Sequence, residues 1–206
     1  IAQVKQQHDY PVFFFVENDG CLSERTFNIH NALHAVTLNG TVVLAVQSMN
    51  PQALKNVNRR KTIINLFEQT QRRFTEAGIK TLIEMILGLP GETYDSFVAG
   101  VSQVIESGGH YGISCYNCAV LPRAALADPD YQHQHGIRTV PQQLIAMHSA
   151  LDVHSDSPEV VETVIATASM PEADWVRAKV FFWMIELLYF DPVSYTHLTL
   201  PTKRIV

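Results

Sequence analysis

The chain has 206 residues, of which 47% are hydrophobic and 17% charged, with a formal net charge of −5. An average globular protein carries roughly 25% charged residues, so this composition excludes a disordered tail and supplies ample core. The acidic balance, with a pI near 6.0, excludes a basic nucleic-acid footprint, and no apolar run reaches the ~18 residues that a membrane span needs.

The chain opens at Ile1 without a signal-peptide pattern, and the native N-terminus is expected upstream. Val12-Phe13-Phe14-Phe15-Val16 predicts a buried strand, closed by an Asn18-Asp19-Gly20 turn. Ser23 is placed to cap a helix with apolar positions Phe27, Ala32, Leu33 and Val36. Thr41 to Val46 predicts a second strand, Pro51 a helix start, and the stretch from Ile63 to Ala77 an amphipathic helix stopped by Gly78. Thr81 to Leu87 predicts a third strand. A helix from Thr93 to Ile105 follows, and then a fourth strand from Gly112 to Leu121. Strands alternating with helices imply a parallel sheet with right-handed crossovers. About four βα units amount to half of an eight-fold barrel, so the expected fold is an α/β partial parallel TIM-type barrel over residues 1–124.

Beyond residue 125 the pattern changes to a mainly helical C-terminal extension, residues 125–192. Asp128 to Gly136 reads as a loop, Ile165 to Ser169 as a short strand, and Pro171 to Phe190 as a strongly apolar helix. The decapeptide Val193–Thr202 matches, codon for codon, a translated transposase adapter of the kind used in sequencing libraries. Residues 193–206 are therefore expected to be foreign to the protein.

Parallel α/β folds place their chemistry at strand ends. Gln47-Ser48-Met49-Asn50 ends one strand, with Arg59 further on. Glu84 interrupts an otherwise apolar strand that ends in Gly88-Leu89-Pro90-Gly91, and Cys115-Tyr116-Asn117-Cys118-Ala119 ends the last. A charge in a buried strand must find partners, and a glycine turn lets backbone approach a ligand closely. The three cysteines, Cys21, Cys115 and Cys118, are too few for a disulfide framework and point to a reducing, cytoplasmic setting. Cys115 and Cys118 stand three apart on a strand, on opposite faces, and make a poor metal pair. His30 and His34 lie one helical turn apart, and a solvated helix face is the favoured reading. His133 and His135 are expected to face water, and Arg59-Arg60-Lys61 reads as a helix-end cation cluster. The aromatic stripe from Trp175 to Phe190 reads as core, cover for the barrel or an oligomer contact.

In this order and spacing, the strand-end motifs over residues 10–124 resemble the radical S-adenosylmethionine superfamily. Its coproporphyrinogen III dehydrogenase branch has an Arg twelve residues after a strand-ending Gln, as Arg59 follows Gln47, and an acid four before a Gly-Leu-Pro, as Glu84 precedes Gly88. The wording Gln47-Ser48-Met49-Asn50-Pro51 and Gly88-Leu89-Pro90-Gly91-Glu92-Thr93 looks most like members with an upstream cobalamin-binding domain. The resemblance implies cofactor contacts at Gln47, Ser48, Arg59, Glu84, Gly88 and Ala119. Gln47 would bond the ribose hydroxyls, Arg59 the methionine carboxylate, Glu84 polar groups of the nucleoside or the methionine amine, and backbone near Ala119 the adenine.

The resemblance also implies a 4Fe–4S cluster that cleaves S-adenosylmethionine to a 5′-deoxyadenosyl radical or supports radical methyl transfer. It further implies cobalamin in the matching subset, an electron donor such as flavodoxin or ferredoxin, and a small-molecule or peptide substrate. The Cys-x3-Cys-x2-Cys loop that holds the cluster is not in this sequence, so its ligands are expected upstream of Ile1 and the chain alone is expected to be inactive. A salt bridge between Glu84 and Arg59 is the structural alternative to ligand binding. A different βα-barrel lyase or aldolase, and a non-catalytic scaffold derived from the barrel, are the rival functions. Lys80, at a strand start, is badly placed for the aldolase.

Overall fold

A computed structural model of the chain describes residues 1–16, 23–38, 40–59, 62–108, 111–143 and 159–191. Three apolar runs form a parallel sheet of strands β1 (Val42–Gln47), β2 (Thr81–Leu87) and β3 (Gly112–Asn117), in that spatial order. In register, Leu44 pairs with Ile83, and Glu84 with Ser114. Alternation along β1 and β2 buries Val42, Leu44, Val46, Ile83, Met85 and Leu87 on one face and leaves Val43, Ala45, Gln47, Leu82, Glu84 and Ile86 half-buried on the other.

The helices are α1 (Ala2–His8), α2 (Glu24–His34), α3 (Pro51–Asn56), α4 (Thr62–Glu76) and α5 (Tyr94–Glu106), then α6 (Pro129–His135) and α7 (Glu172–Ile185), the last running into a π-helical turn at Glu186–Phe190. Buried side chains of α4, α5 and α7 join the core with the buried face of the sheet. The expected caps are in place. The Ser23 hydroxyl accepts from the Thr26 N–H at 3.2 Å, Pro51 sits in the first turn of α3, and Thr93 with Ser96 closes a capping box on α5. Phe67, Gln71 and Phe74 of α4, at i, i+4 and i+7, turn one face inward, where Gln71 donates to Thr81 Oγ1 at 2.7 Å. Phe97 of α5 meets Phe182 of α7 with ring centroids 6.3 Å apart.

Beyond Cys118 the chain leaves the parallel sheet and enters an antiparallel one. Strands β4 (Ala119–Val120), β5 (Arg138–Gln143) and β6 (Val160–Ala166) lie there in the order β4-β6-β5. Cys118 joins the two sheets, its N–H donating to Leu87 O and its carbonyl accepting from Val164 N–H. A second core of Ala53, Leu89, Cys118, Val120 and Val164 sits at this junction.

Several expectations change. Residues 12–16 form no strand. Among the described residues the Phe14 N–H reaches Leu38 O at 3.4 Å, and Val12, Phe13 and Phe15 are exposed, because an apolar run does not by itself specify a ladder partner. The described parallel sheet therefore has three strands instead of four, an open sheet as a partial barrel would also be. The expected fourth strand divides at Cys118 between the two sheets. Asp128 to Gly136 is helical, with the Asp128 carboxylate accepting from the Asp130 and Tyr131 N–H groups and Gly136 ending the helix at a φ of 57°. The extension is built on an antiparallel sheet as well as helices, and Pro141 is tolerated because β5 lies at its edge. The turn at 18–20, Cys21, Arg60, Lys61 and the tail from 192 lie outside the described residues. No helix among the described residues is long and apolar enough to cross a membrane.

His30 also departs from expectation. It is 2% exposed and packs edge-on against Phe74 with centroids 6.0 Å apart, while His34 is half-buried. Burial holds the imidazole below its ordinary 6.5. The unfolded chain then takes up a proton that the folded chain resists, so stability is full above about pH 6.5 and falls as the pH drops below it. In urea melts at about pH 7.5 and 5.5, His30→Phe is expected to narrow the stability difference between the two conditions. An undiminished difference overturns the assignment.

Candidate functional site

Strand β1 ends in a strained turn. Gln47 has a φ of 62°, and the Ser48 N–H donates back to Val46 O at 2.8 Å, closing a three-residue turn around it. The ladder with β2 slips register between Ala45 and Gln47 at the same point. A non-glycine residue in this region costs roughly 1–3 kcal/mol and persists only where its surroundings over-determine it.

The surroundings are a buried polar network. Ser48 is 1% exposed. Its hydroxyl accepts from the Asn50 N–H at 2.9 Å and donates to the carboxylate of Glu92, itself 1% exposed. The Ser96 hydroxyl donates to the other Glu92 oxygen and accepts from the Asn50 amide at 2.9 Å. Asn50 also donates to Gly91 O at 3.1 Å, and Asn56 to Pro90 O at 2.9 Å. The turns after β1 and β2 are thereby tied together. No ion pair among the described residues includes Glu92. Burial raises its carboxyl above the ordinary value, opposed by the hydrogen bonds from Ser48, Ser96 and Asn50.

Glu84 lies midway along β2 on the half-open face, in register with Ala45 and Ser114. The Tyr116 hydroxyl donates to its Oε1 at 3.2 Å. Burial and then the Glu84 charge hold the Tyr116 phenol above its ordinary value. The salt bridge to Arg59 does not form: Arg59 is exposed, and its backbone N–H closes α3 by donating to Leu54 O at 2.7 Å. Gly88 needs its φ of 98°. A Cβ there would touch Trp175 Nε1 at 3.4 Å and Cys118 Cβ at 3.5 Å, so this glycine packs against protein. Ala119 is exposed in β4, paired with Thr163.

The fold thus brings Gln47, Ser48 and Gly88 to the C-terminal ends of β1 and β2, with Glu84 below them and Ala119 just past the end of β3. Arg59 stands apart after α3, and the Ser48 side chain is committed to Glu92. Sequence reasoning missed Glu92, Asn50 and Tyr116. Glu92 follows a glycine turn and precedes a helix cap, where an acid passes for an exposed first-turn residue.

Cys115 pairs in register with Met85 in the main core and Cys118 lies in the second core, both thiols pushed up to about 12, chiefly by burial. Protonated thiols in two different cores do not suit an iron–sulfur cluster, and no group of three potential metal ligands occurs among the described residues.

No family model matches the chain. It is 30% identical over 167 residues to the cobalamin-dependent radical SAM methyltransferase TokK of Streptomyces tokunonensis, covering 81% of this chain and 24% of that protein. It is 29% identical, over the same shares, to the 2-(S-pantetheinyl)-carbapenam-3-carboxylate methyltransferase of Streptantibioticus cattleyicolor. The chain spans about a quarter of the length of these curated relatives. Among solved structures it is similar to the radical S-adenosylmethionine methyltransferase TsrM from Kitasatospora setae, solved with cobalamin and a 4Fe–4S cluster bound, at a TM-score of 0.56 and 16% identity over 94% of this chain and 40% of that one. The chain is therefore related to radical S-adenosylmethionine enzymes, as its strand-end motifs suggest. Within them, its curated relatives are methyltransferases, one of them named as cobalamin-dependent.

Proposed function

We propose that this chain is the part of a cobalamin-dependent radical S-adenosylmethionine methyltransferase that holds S-adenosylmethionine at the C-terminal ends of β1 to β3. The observation that carries the reading is the half-open sheet face on which Glu84 has the Tyr116 hydroxyl and, among the described residues, no cation as partner, one strand away from the strained Gln47 turn. A carboxylate so placed accepts hydrogen bonds from an amine or from ribose hydroxyls, and the Gln47 amide, half-buried at the strand end, can both donate and accept. Arg59, exposed and in no ion pair among the described residues, offers a two-pronged donor for the methionine carboxylate. The exposed backbone at Ala119 suits the flat edge of adenine. When bound, S-adenosylmethionine supplies the transferable methyl group or, once reduced, the radical that abstracts hydrogen.

The described cysteines do not fit the cluster, so no reductive step is assigned to residues of this chain, and the chain alone is expected to leave S-adenosylmethionine uncleaved. Equilibrium dialysis of the chain with labelled S-adenosylmethionine tests the reading. Saturable binding is expected, weakened roughly tenfold or more by Glu84→Ala and by Arg59→Ala, because charge-assisted hydrogen bonds contribute about 1.5–3 kcal/mol each. Failure of the chain to bind, or equal binding by both variants, overturns it.

A further inference from the structure

Glu92 lies outside the half-open face and touches none of its groups, yet it is the most deeply buried carboxylate among the described residues. Its partners come from two segments far apart in sequence: Ser48, the residue after the strained Gln47, and Ser96, in the first turn of α5. Ser48 is drawn inward by Glu92 from one side while its oxygen accepts from the Asn50 N–H on the other. The backbone inverts to positive φ at Gln47 and the β1 ladder slips between Ala45 and Gln47, immediately before the anchored Ser48.

Asn50 completes the tie by bonding Ser96 and Gly91 across the same gap. Among the described residues nothing else bonds the Ser48 side chain. The inverted Gln47 is thus followed directly by a side chain tied to Glu92, 44 residues further along the sequence.

We propose that Glu92 is a positioning residue: through Ser48 it latches the end of β1 to the end of β2 and so holds Gln47 in the inverted conformation that presents it to the cofactor. The inference rests on the cofactor reading above for the ligand, but the latch itself is read in the free chain. The first readout is the strong amide-to-Hα cross-peak within Gln47 that a positive φ produces in NMR spectra. The second is the affinity for S-adenosylmethionine itself.

Glu92→Ala is expected to abolish the cross-peak and weaken binding about tenfold, the loss that corresponds to the freed backbone strain. Glu92→Gln, whose amide can accept from one serine and donate to the other, is expected to restore the cross-peak and most of the affinity. Ser48→Ala, a smaller change, is expected to match Glu92→Ala and decides the matter should Glu92→Ala fail to fold. Gln71→Ala, which removes a buried hydrogen bond to Thr81 far from both turns, supplies a destabilised control expected to keep both readouts. Persistence of the Gln47 cross-peak in Glu92→Ala or Ser48→Ala overturns the latch, as does its loss in Gln71→Ala. Absence of binding by the unaltered chain overturns the cofactor reading instead, and the cross-peak then decides the latch alone.

Discussion

Phe74→Ala is expected to lower the unfolding free energy by about 3–5 kcal/mol, a large share of the roughly 5–15 kcal/mol available to a domain of this size. Phe74 is fully buried at the point where α4 meets α2 and the sheet. Its ring lies 5.3 Å from that of Phe27 and 6.0 Å from that of His30, so truncation removes two ring contacts along with the buried area. The neighbours cannot collapse easily into the space. Phe27 is held from outside by the Arg73 guanidinium, 4.0 Å from its centroid, and Arg73 is in turn paired with Glu24. Ile79, which follows the helix, is anchored by its N–H to Phe74 O at 2.9 Å. Urea unfolding read by tryptophan fluorescence and by circular dichroism checks the value. A loss below about 1.5 kcal/mol, the range of tolerated repacking, would mean that α2 and α4 close the gap. Phe74→Leu is expected to recover more than half of the loss, because it refills most of the volume.

The parts of this fold that could be read from sequence are those whose signals are local. β1 and β2 are short apolar runs between breakers, and α2, α3 and α5 carry their own caps at Ser23, Asn50 with Pro51, and Thr93. Where the outcome depends on a distant partner, local pattern misleads. Residues 12–16 are as apolar as β1 but pair with no strand among the described residues. β5 is hidden by Pro141, Gln142 and Gln143, a polar run that becomes a strand only because β6 lies beside it. The helix α6 was legible in principle from Asp128-Pro129 and Gly136, but its polar composition, on a helix that buries nothing fully, reads equally as loop. His30 looks like one of a solvated pair until Phe74, 44 residues away, closes over it.

The site divides the same way. Among the candidate residues, Gln47 and Ala119 stand beside strand ends and Glu84 stands mid-strand on β2, positions that the strand pattern of the sequence sets. The inverted backbone at Gln47 and its dependence on Glu92 have no local signature: serine and glutamate at 48 and 92 are unremarkable residues until the fold places them in contact.

Glu92→Ala is expected to cost about 2–4 kcal/mol near pH 5, because it leaves the buried Ser48 and Ser96 hydroxyls without their shared partner. The cost should shrink as the pH rises. Burial raises the Glu92 carboxyl in the folded chain above the 4.5 of an ordinary glutamate. Between 4.5 and that raised value the folded state holds more protons than the unfolded one, so the unaltered protein loses stability as the pH increases through the interval, by at most about 1.4 kcal/mol per pH unit. Below 4.5 both states are protonated and the slope vanishes. Glu92→Ala and Glu92→Gln lack the titration and are expected to be flat in this respect.

The trend is opposite in sign to that of His30, whose burial adds stability as the pH rises toward 6.5. In the unaltered protein the two slopes offset each other where they overlap, and a plain pH–stability curve would conceal both. Chemical unfolding at about half-unit steps from pH 4.5 to 7.5 on the unaltered chain, Glu92→Gln and His30→Phe separates them. The curve of Glu92→Gln is expected to rise with pH where that of His30→Phe falls. A Glu92→Gln curve parallel to the unaltered one would mean that Glu92 is already ionised in the folded state at pH 4.5, with the three hydrogen bonds outweighing its burial.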